Sequence, residues 1–133
     1  MSDFEQVSTH SGFMKHNGGL LFKVISETES EFKTKINENH LNRAGITHGG
    51  YIASIIDAGI GTGVHRANKN NIFVTISLDI KFIGSTKIGD EIIGKVKIEK
   101  ITNSLVFASC KIESNNKIIA VGSGGWKRTN NSF

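Results

Sequence analysis

The chain of 133 residues carries one cysteine, no proline, and sixteen Lys and Arg against twelve Asp and Glu, a formal charge of +4 at pH 7. That length predicts a single domain over residues 1–133 with one modest core, a size at which chains often gain further burial by self-association. With one cysteine, no basic-then-apolar leader and no apolar run long enough to cross a bilayer, the expectation is a cytoplasmic protein without disulfide or membrane partner. The mild positive charge suits a phosphate-bearing partner, although such a surface is usually a solubility feature, so it selects no ligand by itself.

Residues 1–19 are polar with scattered Phe4, Val7, Phe13 and Met14 and end at Gly18-Gly19, which predicts a short helix or coil leading into the fold. "LLFKVISE" and "SEFKTKIN" read as two strands turning around Glu27 to Ser30. From Gly49 to about Arg66, the positions Ile52, Ile55, Ile56, Gly59, Ile60 and Val64 recur at three and four residues, the period of a helix with one buried stripe. In "VTISLDIKF" the period becomes two: Val74, Ile76, Leu78, Ile80 and Phe82 alternate with Thr75, Ser77, Asp79 and Lys81, as in a half-buried strand. "EIIGKVKIEK", "SLVFASCKIES" and "KIIAVGSGGWKR" follow as three more strands, the last two joined at "SNNK", a hairpin signal. Together these predict an α+β domain, an antiparallel sheet curled around one long central helix.

The helix contains Gly59, Gly61 and Gly63, each costing about 1 kcal/mol relative to alanine. Either it frays after Gly59, or the small residues Ala53, Ser54, Ala58 and Gly61 around Asp57 admit another element at short range. The stretch "NRAGITHGGYIASIID" places candidate chemistry at both of its ends. A helix starting at Gly49 offers unpaired backbone N–H groups and the positive end of its dipole, and glycines there let a substrate approach the main chain. That is a site for an anion or a developing oxyanion, to which Asn42 can add a side-chain N–H. His48 is open to two readings, donor to a leaving group or cap of the turn. Asp57, an acid that this pattern buries in an apolar segment, lies eight residues past Gly49, roughly 12 Å along the axis. Both cannot touch one scissile bond. If both act on one substrate they come from different chains, two antiparallel helices across a two-fold axis making two equal sites.

Other chemistries find no support in the pattern. No G-x-x-x-x-G-K-[ST] loop or G-x-S-x-G elbow is present, and Cys110 sits in a strand without an evident partner. The five histidines are scattered and the carboxylates unclustered, so no metal site is predicted. Trp126 and the phenylalanines fall mostly at pattern-buried positions, which leaves no aromatic platform for nucleic acid.

"N-R-A-G-I-T-H-G-G-Y-I-A-S-I-I-D" resembles the signature of hotdog-fold thioesterases of the phenylacetate-degradation type, in which Asn, Gly and then His-Gly-Gly precede a central helix bearing an Asp. "VTISLDIKFIGSTKIGDEI" resembles the family's strand and loop after the helix, "NSLVFAS" its penultimate strand and "VGSGGWKR" its closing one. The resemblance implies a hotdog fold, an acyl-CoA substrate, no cofactor beyond the CoA of that substrate, and a homodimer, with dimers able to pair into a tetramer. It implies that Asn42 and the backbone N–H of Gly49 polarise the thioester carbonyl, with His48 near the thiolate. Asp57 of the partner chain would act as general base or nucleophile. Thr75 falls where such enzymes place a hydroxyl that holds the water, yet strand alternation sets it opposite Val74 and Ile76, away from the helix unless a bulge turns it. The CoA moiety is expected to meet Gly50, Lys87, Ser104, Lys127 and Arg128. Two alternatives remain: a non-catalytic acyl-CoA-binding module, for which Asp57 has no use, and a hydratase or dehydratase, which would set an Asp and a His together at the helix start. The acyl group is left open as aryl, short or long.

Overall fold

The computed structural model describes residues 4–69 and 71–129. Its elements in chain order are β1 (Glu5–Gln6), α1 (Phe13–His16), β2 (Leu21–Val24), β3 (Glu29–Lys35), α2 (Gly49–Ala67), β4 (Phe73–Phe82), β5 (Glu91–Ile101), β6 (Leu105–Ser114) and β7 (Lys117–Arg128). The strands form one antiparallel sheet in the order β1-β2-β3-β5-β6-β7-β4, wrapped around α2. The stripe Ile52, Ile55, Ile56, Ile60 and Val64 is buried against Phe22, Phe32, Ile92 and Ile112, so the predicted helical period is the core face. The "SNNK" hairpin turns through Asn115 and Asn116 at φ 52° and 64°, the left-handed pair that a tight antiparallel connection requires.

The helix continues through its glycines to Ala67 and does not fray. A Cβ on Gly59 or on Gly94 of β5 would overlap the ring of Phe32, which lies between them. A Cβ on Gly63 would press on Ser30 Oγ at 3.0 Å and Val96 at 3.4 Å. Full burial of one Phe side chain stabilises by roughly 1.5–3 kcal/mol, which outweighs the helix cost of the glycine that admits it.

The structure departs from the sequence reading in two strands. The lead-in contains β1, two residues paired with Phe22 and Leu21 of β2, too short to leave a period. The second departure concerns β4, among the described residues an edge strand hydrogen-bonded only to β7. Thr75 stands opposite Trp126 and Ser77 opposite Gly125, so Ile76 is an extra residue in a bulge. The bulge splits the five apolar residues that were expected on one face. Leu78 and Ile80 pack on the core together with Phe73, whereas Val74 and Ile76, and Phe82 at the strand's far end, are 46%, 54% and 57% exposed.

Candidate active site

The start of α2 is held by a buried histidine that the sequence reading passed over. His40 stacks on Tyr51 with ring centroids 3.7 Å apart. Its Nδ1 accepts from the Asn37 N–H at 3.1 Å, so Nε2 carries the proton and donates to the Asn17 carbonyl at 2.8 Å. The His40 carbonyl in turn accepts from the His48 N–H at 2.8 Å, and Leu41 bridges Thr47. Buried hydroxyls of Thr47 and Thr86, 2.7 Å apart, fasten this loop to the segment after β4. The only advance sign of the arrangement was a capping-box spacing from Asn37 to His40, which is a weak signal alone.

Within the loop, Asn42 Oδ1 accepts from the N–H groups of Ala44 and Ile46 at 2.9 and 3.3 Å, while Gly45 turns the chain at φ 84°. With its oxygen engaged, Asn42 keeps its Nδ2 donor, which meets no protein acceptor among the described residues. His48 is the N-cap of α2, its Nδ1 accepting from the Gly50 N–H at 2.8 Å. The capping reading is thus the one seen, and it leaves Nε2–H as a donor. The Gly49 N–H, one residue into the helix, donates to no protein group among the described residues.

Asp57 is not buried as the apolar segment suggested. It lies on a partly exposed stripe of α2 with Ala53, Ser54, Ala58 and Gly61, away from the isoleucines. Thr75 Oγ1 donates to Asp57 Oδ1 at 2.6 Å. The bulge at Ile76 is what turns Thr75 toward the helix against the simple alternation. One carboxylate oxygen is therefore held and the other is open to a cleft of about 650 Å³, whose walls include Phe73, Trp126, Val7 and Met14. A separate cleft of about 330 Å³ contains His48, Gly50, Tyr51 and Phe13. Within one chain, Asp57 and Thr75 are brought together, while Asn42 lies on the loop that the Leu41–Thr47 bridge folds back just before His48 and Gly49, and Asp57 and His48 open to different clefts.

The expected CoA contacts also separate into two groups. Lys87 follows Thr86 in the segment tied to the α2 start, its backbone N–H donating to Asp90 Oδ2 at 2.9 Å. At the other end of β4, Lys127 pairs with Val74, the Arg128 N–H donates to the Ser104 carbonyl at 2.8 Å, and Arg128 Nη2 reaches Asn103 Oδ1 at 3.4 Å. Gly50 is exposed, its N–H taken by His48. Burial pushes the Cys110 thiol up to about 12, so it supplies no thiolate nucleophile at neutral pH. Among the described residues no helix is long and apolar enough to cross a membrane.

Comparisons with known proteins bear on the family and the fold. The profile of the thioesterase superfamily matches residues 44–119, more than half of the chain, a span that includes His48, Gly49, Asp57, Thr75 and Lys87 but not Asn42. Acyl-coenzyme A thioesterase 13 of Mus musculus is 30% identical over 90 residues, 66% of this chain and 64% of that protein. The crystal structure of zebra fish thioesterase superfamily member 2 superposes with a TM-score of 0.83 at 22% identity, covering 92% of this chain and 90% of that one. The PaaI protein from the phenylacetic acid degradation operon of E. coli gives 0.75 at 18% identity, covering 84% and 81%. These structural likenesses establish the hotdog fold, a sheet wrapped around one long helix, and the sequence match over residues 44–119 makes the chain a member of the thioesterase superfamily.

Proposed function

We propose that the chain hydrolyses acyl-CoA thioesters to a free acid and CoA, at sites shared between two copies. The observation that carries this reading is the 2.6 Å hydrogen bond from Thr75 to Asp57. A carboxylate held by one oxygen, with the other open to a cleft, is poised to take a proton from water or to attack an acyl carbon itself. The name of the mouse relative, acyl-coenzyme A thioesterase, supports a CoA ester as the substrate.

The donors at the start of α2 supply the complementary half. Asn42 Nδ2 and the Gly49 N–H are unpaired within the described residues, and the helix dipole adds to their pull on an oxyanion. Water attacks the thioester carbon as Asp57 takes its proton, the oxyanion forms against Asn42 and Gly49, and the C–S bond then breaks. His48 Nε2–H would meet the departing thiolate in this reading. If Asp57 attacks directly, the same oxyanion forms and water cleaves the resulting anhydride.

The sheet edge supports sharing the site between chains. The ring of Phe82 lies against Gly49, 3.5 Å from where a Cβ would stand, and Thr75 at the other end of β4 holds Asp57. Two copies joined antiparallel along β4, with Phe82 facing the partner's Thr75, would bring each Gly49 to the partner's Asp57 and form both sites at once. That pairing also covers exposed Val74, Ile76 and Phe82, and it sets Lys87 near the partner's Ser104, Lys127 and Arg128, where CoA phosphates would be met. The test is Asp57→Asn. Thiol release from any accepted acyl-CoA should fall by about 100-fold or more with CoA binding retained, and near-wild-type turnover would remove Asp57 from the reaction.

A further inference from the structure

Three glycines interrupt α2, and packing within the chain accounts for two. Gly59 receives Phe32, and Gly63 closes on Ser30 and Val96. Gly61 differs, because among the described residues a Cβ there would meet a single atom within 4 Å, the indole Nε1 of Trp126 at 3.8 Å. That is an ordinary contact, so packing does not forbid alanine, which would favour the helix. What the glycine preserves is access to the indole nitrogen.

Trp126 is the chain's single tryptophan and is 2% exposed, yet its Nε1–H donates to no protein acceptor among the described residues. The ring is in the core, but the indole nitrogen is not sealed there: it opens to the cleft, where a solute can accept from it, and tryptophan N–H groups in such settings ordinarily find an acceptor. Trp126 and Gly61 both line the cleft that holds Asp57, and Trp126 stands directly across the β4–β7 ladder from Thr75. The N–H therefore belongs to the chamber beside the reacting carboxylate. Val7, Met14 and Phe73 give that chamber an apolar wall suited to hydrocarbon.

We propose that Trp126 is a specificity-determining residue: its indole N–H, uncovered by Gly61, binds an oxygen acceptor carried by the acyl group. The favoured substrates are acyl-CoAs with a hydroxyl, ether or carbonyl oxygen one helical turn beyond the thioester, since Gly61 follows Asp57 by four residues, about 6 Å of rise. A plain hydrocarbon chain of the same length leaves the donor unpaired and is discriminated against. The proposal rests on the thioesterase reading for the position of the carbonyl, but the indole contact itself does not require turnover.

One tryptophan gives one indole N–H resonance, which permits a direct test with 15N-labelled protein and non-hydrolysable 2-oxoalkyl thioether analogues of CoA. The probes are a plain seven-carbon chain and its counterparts in which successive methylenes are replaced by an ether oxygen. The indole proton should move downfield with one oxygen position and not with the plain chain. In parallel, the matching thioesters should show a preference of roughly tenfold in kcat/KM for that oxygenated member, the scale of one hydrogen bond. Trp126→Phe should bring the pair to equal kcat/KM. Gly61→Ala, which leaves the indole in the core, should do the same and serves if the first variant fails to fold. An indole resonance that responds alike to every chain, or a preference that survives both variants, overturns the proposal. Absence of hydrolysis with an indole shift at one oxygen position would instead refute the thioesterase reading and leave the acyl contact standing.

Discussion

The shared site makes a quantitative demand on mixtures of inactive chains. Asn42 and Gly49 sit at one end of the accessible face of α2, and Asp57 lies eight residues on, roughly 12 Å along the axis. A dimer whose sites each take Asn42 from one chain and Asp57 from the other responds to mixing in a way that a single-chain site does not. Asn42→Asp is the better loop variant, since a carboxylate still accepts from Ala44 and Ile46 while the donor is lost. Each of Asn42→Asp and Asp57→Asn alone should lose about 10²-fold or more in turnover. When an equimolar mixture is unfolded and refolded, about half of the dimers are mixed, and in each of these one site carries both lesions and the other neither. Recovery should approach about a quarter of the wild-type rate. The assay is thiol release from an accepted acyl-CoA, with native mass spectrometry to count mixed dimers. Mixed dimers present in the expected proportion but no more active than their parents would refute the shared site, because a site within one chain always keeps one lesion.

Sedimentation at assay concentration should show a dimer or a larger assembly; an active monomer would contradict the proposed pairing along β4. Thr75→Val removes the hydroxyl that holds Asp57 and should lower kcat about tenfold with KM little changed, as expected for a group that fixes the base without binding substrate. Gly59→Ala should destabilise by about 1–3 kcal/mol in denaturant titration because the new methyl overlaps Phe32, whereas Gly61→Ala should leave stability equal or raise it by up to about 1 kcal/mol. Cys110 is held at about 12 by burial against an ordinary 9.0, so its contribution to stability is complete below pH 9 and falls as pH rises toward 12, by about 1.4 kcal/mol per unit. Alkaline denaturation of wild type against Cys110→Ala should show that difference. The native thiol should also stay silent to a thiol reagent at neutral pH until the chain is unfolded.

The helix was legible because its isoleucines repeat at the helical period and all face one core. β5, β6 and β7 were legible because their two faces meet different surroundings, and the hairpin because two adjacent asparagines adopt left-handed angles more readily than most residues. The glycines were visible as a cost but not as separate causes. Which of them packing demands depends on Phe32, Ser30 and Val96, contributed by strands that no local window joins to the helix. His40 was hidden for a related reason. Its role is set by Asn17, Tyr51 and the His48 N–H, partners that become neighbours only after the chain has folded back on itself.

The misreading of β4 has one cause, and the same cause builds the candidate site. Alternation assumes a strand with a fixed period of two, and one inserted residue reverses every side chain beyond it. Ile76 is that residue. Five apolar side chains in unbroken alternation looked like one buried face, but the bulge assigns Leu78 and Ile80 to the core and leaves Val74 and Ile76 exposed at the sheet edge. An edge strand with apolar groups on both of its faces is what a second copy of the chain would cover. Flattening the bulge, so that Ile76 pairs as an ordinary ladder residue while Leu78 and Ile80 stay on the core, would restore the simple period, and Thr75 would then point away from α2 and lose Asp57. The irregularity that defeats the sequence pattern thus both orients the hydroxyl on the carboxylate and exposes the edge along which the proposed dimer pairs. Neither feature can be adjusted without the other.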